Sequence, residues 1–467
     1  MEIISSGLRY FKTKKAFYLL CILNIFVSII IFKISSASAF SDEKGYWLMG
    51  KSILEGKFSS WYILPKYYPE TLRTPGYPMF LAFCQLISNS TIFVKILQLL
   101  FYFGSIYLCT LILKINHSTY LLRNLFLLIL IPNFQIVFYA GCVSSEILTS
   151  FFLVLTAYLF LLKRSFINAL FIALTCYGMF ILRPAFLLFP SIFILYFFIV
   201  EKKNFKYYLL FTSTYLVLLI PFAMWNKINH GIFKITPIEG GAGVANFGFW
   251  QLKLPNGYTE KFYWGNSTSY DYTQPKFYSI DEQNQNARLF ERERTVLSNE
   301  LKKYESSEDS IYLNYMRNSR SGVFLLHNSN YTLARESALW KLTLQNIIKD
   351  PLYYIKSRIY HFPRLYVTGI NSQNLEKSTS ILSKIKNIYP FFVTLIFIFL
   401  GMLFITICLL FKKVKFDKSF VFILSMWYCG IIHLLFVIQS RYTIPVHLIV
   451  LTILSLTIFK ILKSKQV

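Results

Sequence analysis

Ten apolar runs divide this chain, near positions 16–36, 91–113, 123–140, 146–162, 166–182, 184–200, 207–225, 389–411, 419–438 and 441–460. A helix needs ~20 apolar residues to cross the hydrocarbon layer of a bilayer. Several runs are nearer 17 residues than 21, which sets the expected count at about ten transmembrane helices, in a range of about 9–13. No soluble domain hides this much apolar surface. Of the residues, 55% are hydrophobic, 47 are Phe, 33 are Tyr and only 15% are charged, against ~25% charged in an ordinary soluble domain. The expected fold class is an all-α integral membrane protein, with interfacial helices in a first outer loop and a mixed, α-rich extracytoplasmic segment. An ordinary cytosolic enzyme and a disordered chain are excluded.

The net charge is +26. In a soluble protein that would point to nucleic acid, but here the basic residues flank the apolar runs, so no nucleic-acid partner is expected. With the N-terminus inside, the inner segments hold Arg9, Lys12, Lys14 and Lys15; Lys114 and Arg123; Lys163 and Arg164; Lys202, Lys203 and Lys206; Lys412, Lys413, Lys415 and Lys418; and Lys460, Lys463 and Lys465. Cytoplasmic loops carry such an excess of Lys and Arg. The short outer turns carry chiefly Arg183 and Arg441. Both chain ends are therefore placed inside. The opening residues have the look of a signal peptide, yet no small-residue cleavage site directly follows the first apolar stretch, and Ala37-Ser38-Ala39 stands further on. It reads as an uncleaved first span. The composition, poor in Ala and rich in Ile, Lys and Phe, has the look of an AT-rich bacterial genome. The partner is a lipid bilayer, the inner membrane of a bacterium.

Two long segments fall outside, 37–90 and 226–388. They divide the chain into an N-terminal membrane module at 1–225, an extracytoplasmic segment at 226–388 and C-terminal spans at 389–467. Within the first, residues 76–88 are apolar but too short to span, and read as a helix at or dipping into the outer surface. Within the second, 287–304 reads as a charged surface helix, 333–349 as an amphipathic helix stopped by Asp350-Pro351, and 351–366 as a helix suited to the membrane surface. The inner loops are too short to hold a nucleotide-binding domain, and neither a P-loop nor a strand–GxGxxG–helix unit occurs. Any chemistry is expected outside, on an activated substrate that sits in the bilayer.

The candidate residues cluster at that outer boundary. Asp42 and Glu43 follow the first span directly, where acids are costly and a low-dielectric edge would raise a carboxylate's pKa, as suits a base. The alternative is the start of a solvated loop. Arg73 precedes the rigid turn Thr74-Pro75-Gly76-Tyr77-Pro78 and suits bidentate capture of a phosphate, or simple anchoring at the interface. Glu146 opens the run at 146–162, as a second acid or as a carboxylate favoured by the helix dipole. Arg183-Pro184 and Arg441 within Ser440-Arg441-Tyr442 add cations for an anionic headgroup. Gly240-Gly241-Ala242-Gly243 offers a weak phosphate cradle or a flexible loop. The six His, including His433 and His447 within spans, lack metal spacing and read as packing residues. The seven Cys lack zinc or redox spacing and read as small hydrophobes. No metal site and no cofactor is indicated; a divalent metal is neither demanded nor forbidden.

Taken together these stretches resemble the GT-C class of membrane glycosyltransferases, in particular the bacterial protein-mannosyltransferase and aminoarabinose-transferase-like family. The matching stretches are SDEKGYWLMGKSILEGKFS (41–59), RTPGYPMFLA (73–82), SSEILTSFFLVLTAYLF (144–160), LRPAFLLFP (182–190), PFAMWNKINHGIFKITPIEGGAGVANFG (221–248), ESALWKLTLQNIIKDPLYYIKSRIYHFPRL (336–365) and RYTIPV (441–446). The chain departs from the family at Trp225-Asn226, where many members carry an arginine before the Asn. The resemblance implies a polyprenyl-phosphate sugar donor and an outward-facing active site. It places the family's first-loop acid on Asp42 with Glu43 beside it, the second-loop acid on Glu146 and the basic residue before the proline turn on Arg73. The expected activity is transfer of a sugar from a polyprenyl-phosphate carrier to a hydroxyl of a lipid-linked glycan, lipid A, cell-wall polymer or protein. Asp42 would act as base with inversion at C1, and Arg73, Arg183 and Arg441 would bind the donor phosphate. The alternatives are a cell-surface polysaccharide polymerase, for which arginine-centred loops are expected, and a lipid-linked glycan transporter or flippase, for which polar residues at mid-depth are expected.

Overall fold

The computed structural model describes residues 10–36, 42–60, 67–201, 204–251, 253–255, 278–304, 329–368, 380–411, 418–436 and 438–464. Among these it is helical, with no strand. Ala37-Ser38-Ala39 and the basic residues 9, 202, 203, 412, 413, 415 and 465 lie outside the described residues.

The N-terminal half runs through α1 (Lys14–Ser36), α2 (Glu43–Leu54), α3 (Gly76–Ile87), α4 (Thr91–Asn116), α5 (Tyr120–Leu130), α6 (Gln135–Ala140), α7 (Glu146–Leu161), α8 (Phe166–Leu182), α9 (Ser191–Ile199) and α10 (Phe205–His230). The apolar run 123–140 is not one helix: Pro132, which cannot supply the backbone N–H that a continuous helix needs, separates α5 from α6. The run 184–200 is likewise broken, into a 3-10 turn at Pro184–Phe186 and the nine-residue α9, with Pro190 as the residue before α9. The segment 226–388 supplies α11 (Gly241–Trp250), α12 (Ile280–Leu301), α13 (Ser329–Lys349) and α14 (Pro351–Tyr366). Ser279 and Glu282 start α12 with a reciprocal capping box. Asp350 starts α14 by accepting from the Tyr353 N–H at 3.3 Å, with Pro351 in the first turn. The C-terminal part holds α15 (Ile381–Val393), a π-helical stretch at Thr394–Leu400, α16 (Gly401–Leu410), α17 (Phe420–Leu434), a 3-10 turn at Ser440–Val446 and α18 (His447–Ser464).

Among the described residues, five helical stretches are long and apolar enough to cross a membrane: Lys14–Ser36, Thr91–Asn116, Phe205–His230, Ile388–Leu410 and Ser440–Ser464. Six further apolar helices are shorter, Gly76–Ile87, Tyr120–Leu130, Glu146–Leu161, Phe166–Leu182, Pro184–Ile199 and Phe420–Leu434. They form one bundle. α7 packs between α4 and α8, α8 packs on α10, and α18 runs through the middle against α4, α5, α16 and α17. Every residue from His447 to Thr457 on α18 is buried. Its hydroxyls create no unmet demand there: Thr452, Ser455 and Thr457 each donate to the carbonyl four residues back, at 2.6, 2.8 and 2.8 Å. α1 is the opposite case, with Ile22, Phe26 and Ile29 exposed by more than half. An apolar side chain turned outward is stable against lipid rather than water.

Helices α11 to α14 have two small cores of their own. Phe249, Trp250, Leu254, Ala287, Phe290 and Tyr353 form one; Ala242, Leu297, Leu301, Tyr331 and Leu339 form the other. α14 joins them to the bundle, packing on α17 and on the 3-10 turn before α18, and that turn packs on α7.

Candidate active site

Asp42 is the residue before the first turn of α2, yet its side chain does not cap that helix. It reaches two arginines instead. Arg73 Nη2 donates to Oδ1 at 3.4 Å, and Arg441 Nη1 donates to Oδ2 at 3.0 Å. Burial alone would raise the pKa of this carboxyl. Arg441 and Arg73 outweigh that and hold it below the usual carboxylate range. The raised value expected from the sequence is therefore corrected: the low-dielectric edge is real, but two guanidinium groups stand in it.

Arg73 is held by its own loop. Glu70 Oε1 accepts from the backbone N–H groups of Leu72 and Arg73 at 3.2 and 3.3 Å, while Oε2 accepts from the Ser60 N–H and hydroxyl at 3.1 and 2.7 Å. One buried carboxylate thus sets the turn. The Arg73 guanidinium lies over the Tyr46 ring, 4.7 Å from its centroid, a favourable cation–π position. Behind it, Gly76 lets α3 start against the end of α8. A Cβ there would come 2.6 Å from the Ile181 carbonyl oxygen, so any side chain would push the Arg73 turn away from Arg183.

Arg441 is held from the outer helices. Its Nε donates to Gln439 Oε1 at 2.8 Å. The chain leading to it is clamped by Arg358, buried on α14, which donates to the carbonyls of Leu434, Phe436 and Gly248 at 3.1, 2.9 and 2.6 Å. Gln251 then pairs with both backbone groups of Ile438, at 3.1 and 3.3 Å. Burial holds the Arg358 guanidinium below its usual pKa.

A second ion pair stands beside the first. Arg183 Nη1 is 3.5 Å from Glu146 Oε1, with both side chains almost wholly buried. The Tyr46 hydroxyl, pushed up by burial, is within electrostatic reach of Arg73, Asp42, Glu146 and Arg183 together. Arg183 and Arg441 lie over the same ring, Tyr442, at 5.6 and 5.8 Å from its centroid, and His433 stacks on that ring at 5.0 Å. Glu43 faces another way. Its Oε1 is 3.7 Å from Lys95 Nζ, and Lys95 also donates to the Ser36 carbonyl at 3.0 Å.

The structure therefore brings Asp42, Arg73, Arg441, Glu146 and Arg183 to one place and sets Glu43 at its edge with Lys95. Sequence reasoning missed Lys95, Tyr46 and the stacking of His433 on Tyr442, and gave Glu70, which heads the Glu70–Pro78 stretch, no role of its own. Lys95 carried a signal, since an ionisable residue within an apolar run is a functional marker; the tyrosines carried none. The glycine cluster is not a phosphate cradle. The Glu336 carboxylate already accepts from the Ala242 N–H at 3.0 Å at the start of α11, and an anion would meet that charge. Glu239 beside it accepts from the Thr71 hydroxyl at 2.6 Å and pairs with Arg335, which ties the outer helices to the Arg73 loop. Among the described residues no group of three His, Cys, Asp or Glu is placed to hold a metal ion. No protein-family model, no curated protein and no solved structure matches the chain.

Proposed function

We propose that this protein is an integral-membrane glycosyltransferase that moves a sugar from a polyprenyl-phosphate carrier to a hydroxyl acceptor. The observation that carries this reading is the Asp42 carboxylate gripped by Arg73 and Arg441, one on each oxygen. Two convergent guanidinium groups at the rim of an apolar bundle suit the phosphate of a lipid. A carboxylate between them suits the base. The resemblance of the quoted stretches to the GT-C class supports the same reading.

In this mechanism the donor phosphate competes with Asp42 for the two arginines. When they turn to it, the partly buried carboxylate loses the charges that keep its pKa low and gains basicity at the moment it is needed. Asp42 takes the acceptor's hydroxyl proton, the acceptor oxygen bonds to C1, and the C1–O bond to phosphate breaks on the opposite face. Polyprenyl phosphate leaves with the electron pair, its charge met by Arg73 and Arg441. The anomeric centre is inverted. The chain would cross a bacterial inner membrane about ten times, both ends cytoplasmic, with the site and the 226–388 segment outside; that segment would shape the acceptor entrance. The test is purified protein in nanodiscs with undecaprenyl-phosphoryl sugars and extracted cell-surface acceptors. Release of undecaprenyl phosphate with stoichiometric acceptor glycosylation is expected. Donor turnover for no sugar tried, together with unchanged surface glycans in a deletion strain, would contradict it.

A further inference from the structure

Beside the Asp42 clamp lies a loosely paired set of buried polar groups, two of which have no hydrogen-bond partner. Glu146 is 4% exposed, and its ion-pair partner, Arg183 at 3.5 Å, is too far for a good hydrogen bond. Arg183 Nη1 is buried without a hydrogen-bond partner, and so is the hydroxyl of Ser144, two residues ahead of Glu146. Leaving such groups unpaired costs ~1–3 kcal/mol each, and native folds leave few of them without a reason. Here the Glu146 carboxylate at the start of α7 meets the Arg183 guanidinium just past the end of α8, and the Ser144 hydroxyl stands two residues before Glu146 in the chain.

We infer that Glu146, Arg183 and Ser144 form a subsite that holds the sugar ring of the donor by its hydroxyls. The inference rests on the donor-phosphate reading above. A sugar hydroxyl donates and accepts at once, so it can satisfy the carboxylate and the guanidinium together. An anion would face Glu146 and a cation would face Arg183, so the balanced pair favours a neutral polyhydroxy ring. The subsite also lies at the right place. Arg183 and Arg441 share the Tyr442 ring, so a ring held by Arg183 lies next to a phosphate held by Arg441, as adjoining parts of one ligand must.

The experiment measures binding of two kinds of probe to the full chain in nanodiscs: undecaprenyl phosphate alone, and undecaprenyl-phosphoryl mannose, glucose and galactose. Wild type is expected to bind at least one sugar-bearing lipid more tightly than the bare lipid. Glu146→Gln should weaken that lipid by about tenfold, the loss of one charge-assisted hydrogen bond, and leave the bare lipid unchanged. Arg73→Ala should weaken both. A sugar preference that survives in Glu146→Gln, equal loss of both probes in that variant, or no preference in wild type would overturn the subsite. Absence of bare-lipid binding, or an Arg73→Ala protein that binds both probes normally, would instead overturn the donor-phosphate reading.

Discussion

Asp42 and Arg441 stand 399 positions apart in the chain and 3.0 Å apart in the structure. The contact joins the turn before α2 to the turn before the last helix. With Arg73 on the other oxygen, it makes one carboxylate the meeting point of three distant segments.

The pH dependence follows from that contact. Asp42 is held below the ordinary carboxylate range in the folded protein. A depressed folded pKa adds stability that is present above the unfolded value near 3.8 and is lost as pH falls through the lower folded value. Arg441→Gln removes the larger of the two charge effects opposing burial. The acidic limb of kcat/KM against pH should therefore move to higher pH, and the variant should unfold at higher pH on acid titration. An acidic limb that stays in place would separate Asp42 from the reaction.

Arg73 is the sharper probe of donor binding. A charge-assisted contact is worth ~1.5–3 kcal/mol, or roughly 10- to 150-fold. Arg73→Ala should raise the donor KM within that range and move the acceptor KM less. Arg73→Lys should recover only part, because an ammonium keeps the charge but loses the planar fork. Full recovery by Lys would identify a snorkelling anchor instead.

Two glycine variants test how the turn is built. Gly76→Ala puts a Cβ against the Ile181 carbonyl and should cost ~1–3 kcal/mol as overpacking does, with turnover falling as Arg73 leaves Asp42. Gly243→Ala meets no neighbour within 4 Å and should leave thermal unfolding and turnover unchanged. Loss of donor binding in Gly243→Ala would revive the phosphate cradle that Glu336 argues against.

The proposed orientation has a direct check. Cysteine at exposed Glu300 should react with an impermeant thiol reagent in intact cells, and cysteine at exposed Ser118 should not. The reverse pattern would invert the topology.

Much of this architecture is legible in the residues. Length and hydropathy mark the apolar helices, and Asp350-Pro351 marks the boundary between α13 and α14 by proline geometry; the charged helix expected at 287–304 instead runs from Ile280 to Leu301, because the Ser279 capping box starts it earlier. Asp42, Arg73, Glu146, Arg183 and Arg441 stand out because a charge beside an apolar run is expensive and so conspicuous. The division into pairs was not legible. That Asp42 meets Arg441 while Glu43 meets Lys95 depends on packing between segments hundreds of positions apart. The same is true of the Asp42 pKa: its sign is decided by partners and not by depth. Glu70 heads the stretch that leads to Arg73, but its role was not legible because its task is to bond backbone groups of its own loop. Tyr46 and Tyr442 could not be told from the other tyrosines among 33. Pro132 was visible, but the apolar residues on both sides concealed the break.

The central claim, that the carboxylate between the two arginines is the base, is tested most directly by Asp42→Asn in nanodiscs, with turnover and undecaprenyl phosphate binding measured on the same folded sample. Loss of the base should lower kcat by ~10²–10⁴-fold. Undecaprenyl phosphate should bind as well as to wild type or more tightly, since Arg73 and Arg441 no longer face a competing carboxylate. Wild-type turnover by a folded Asp42→Asn protein would contradict the account.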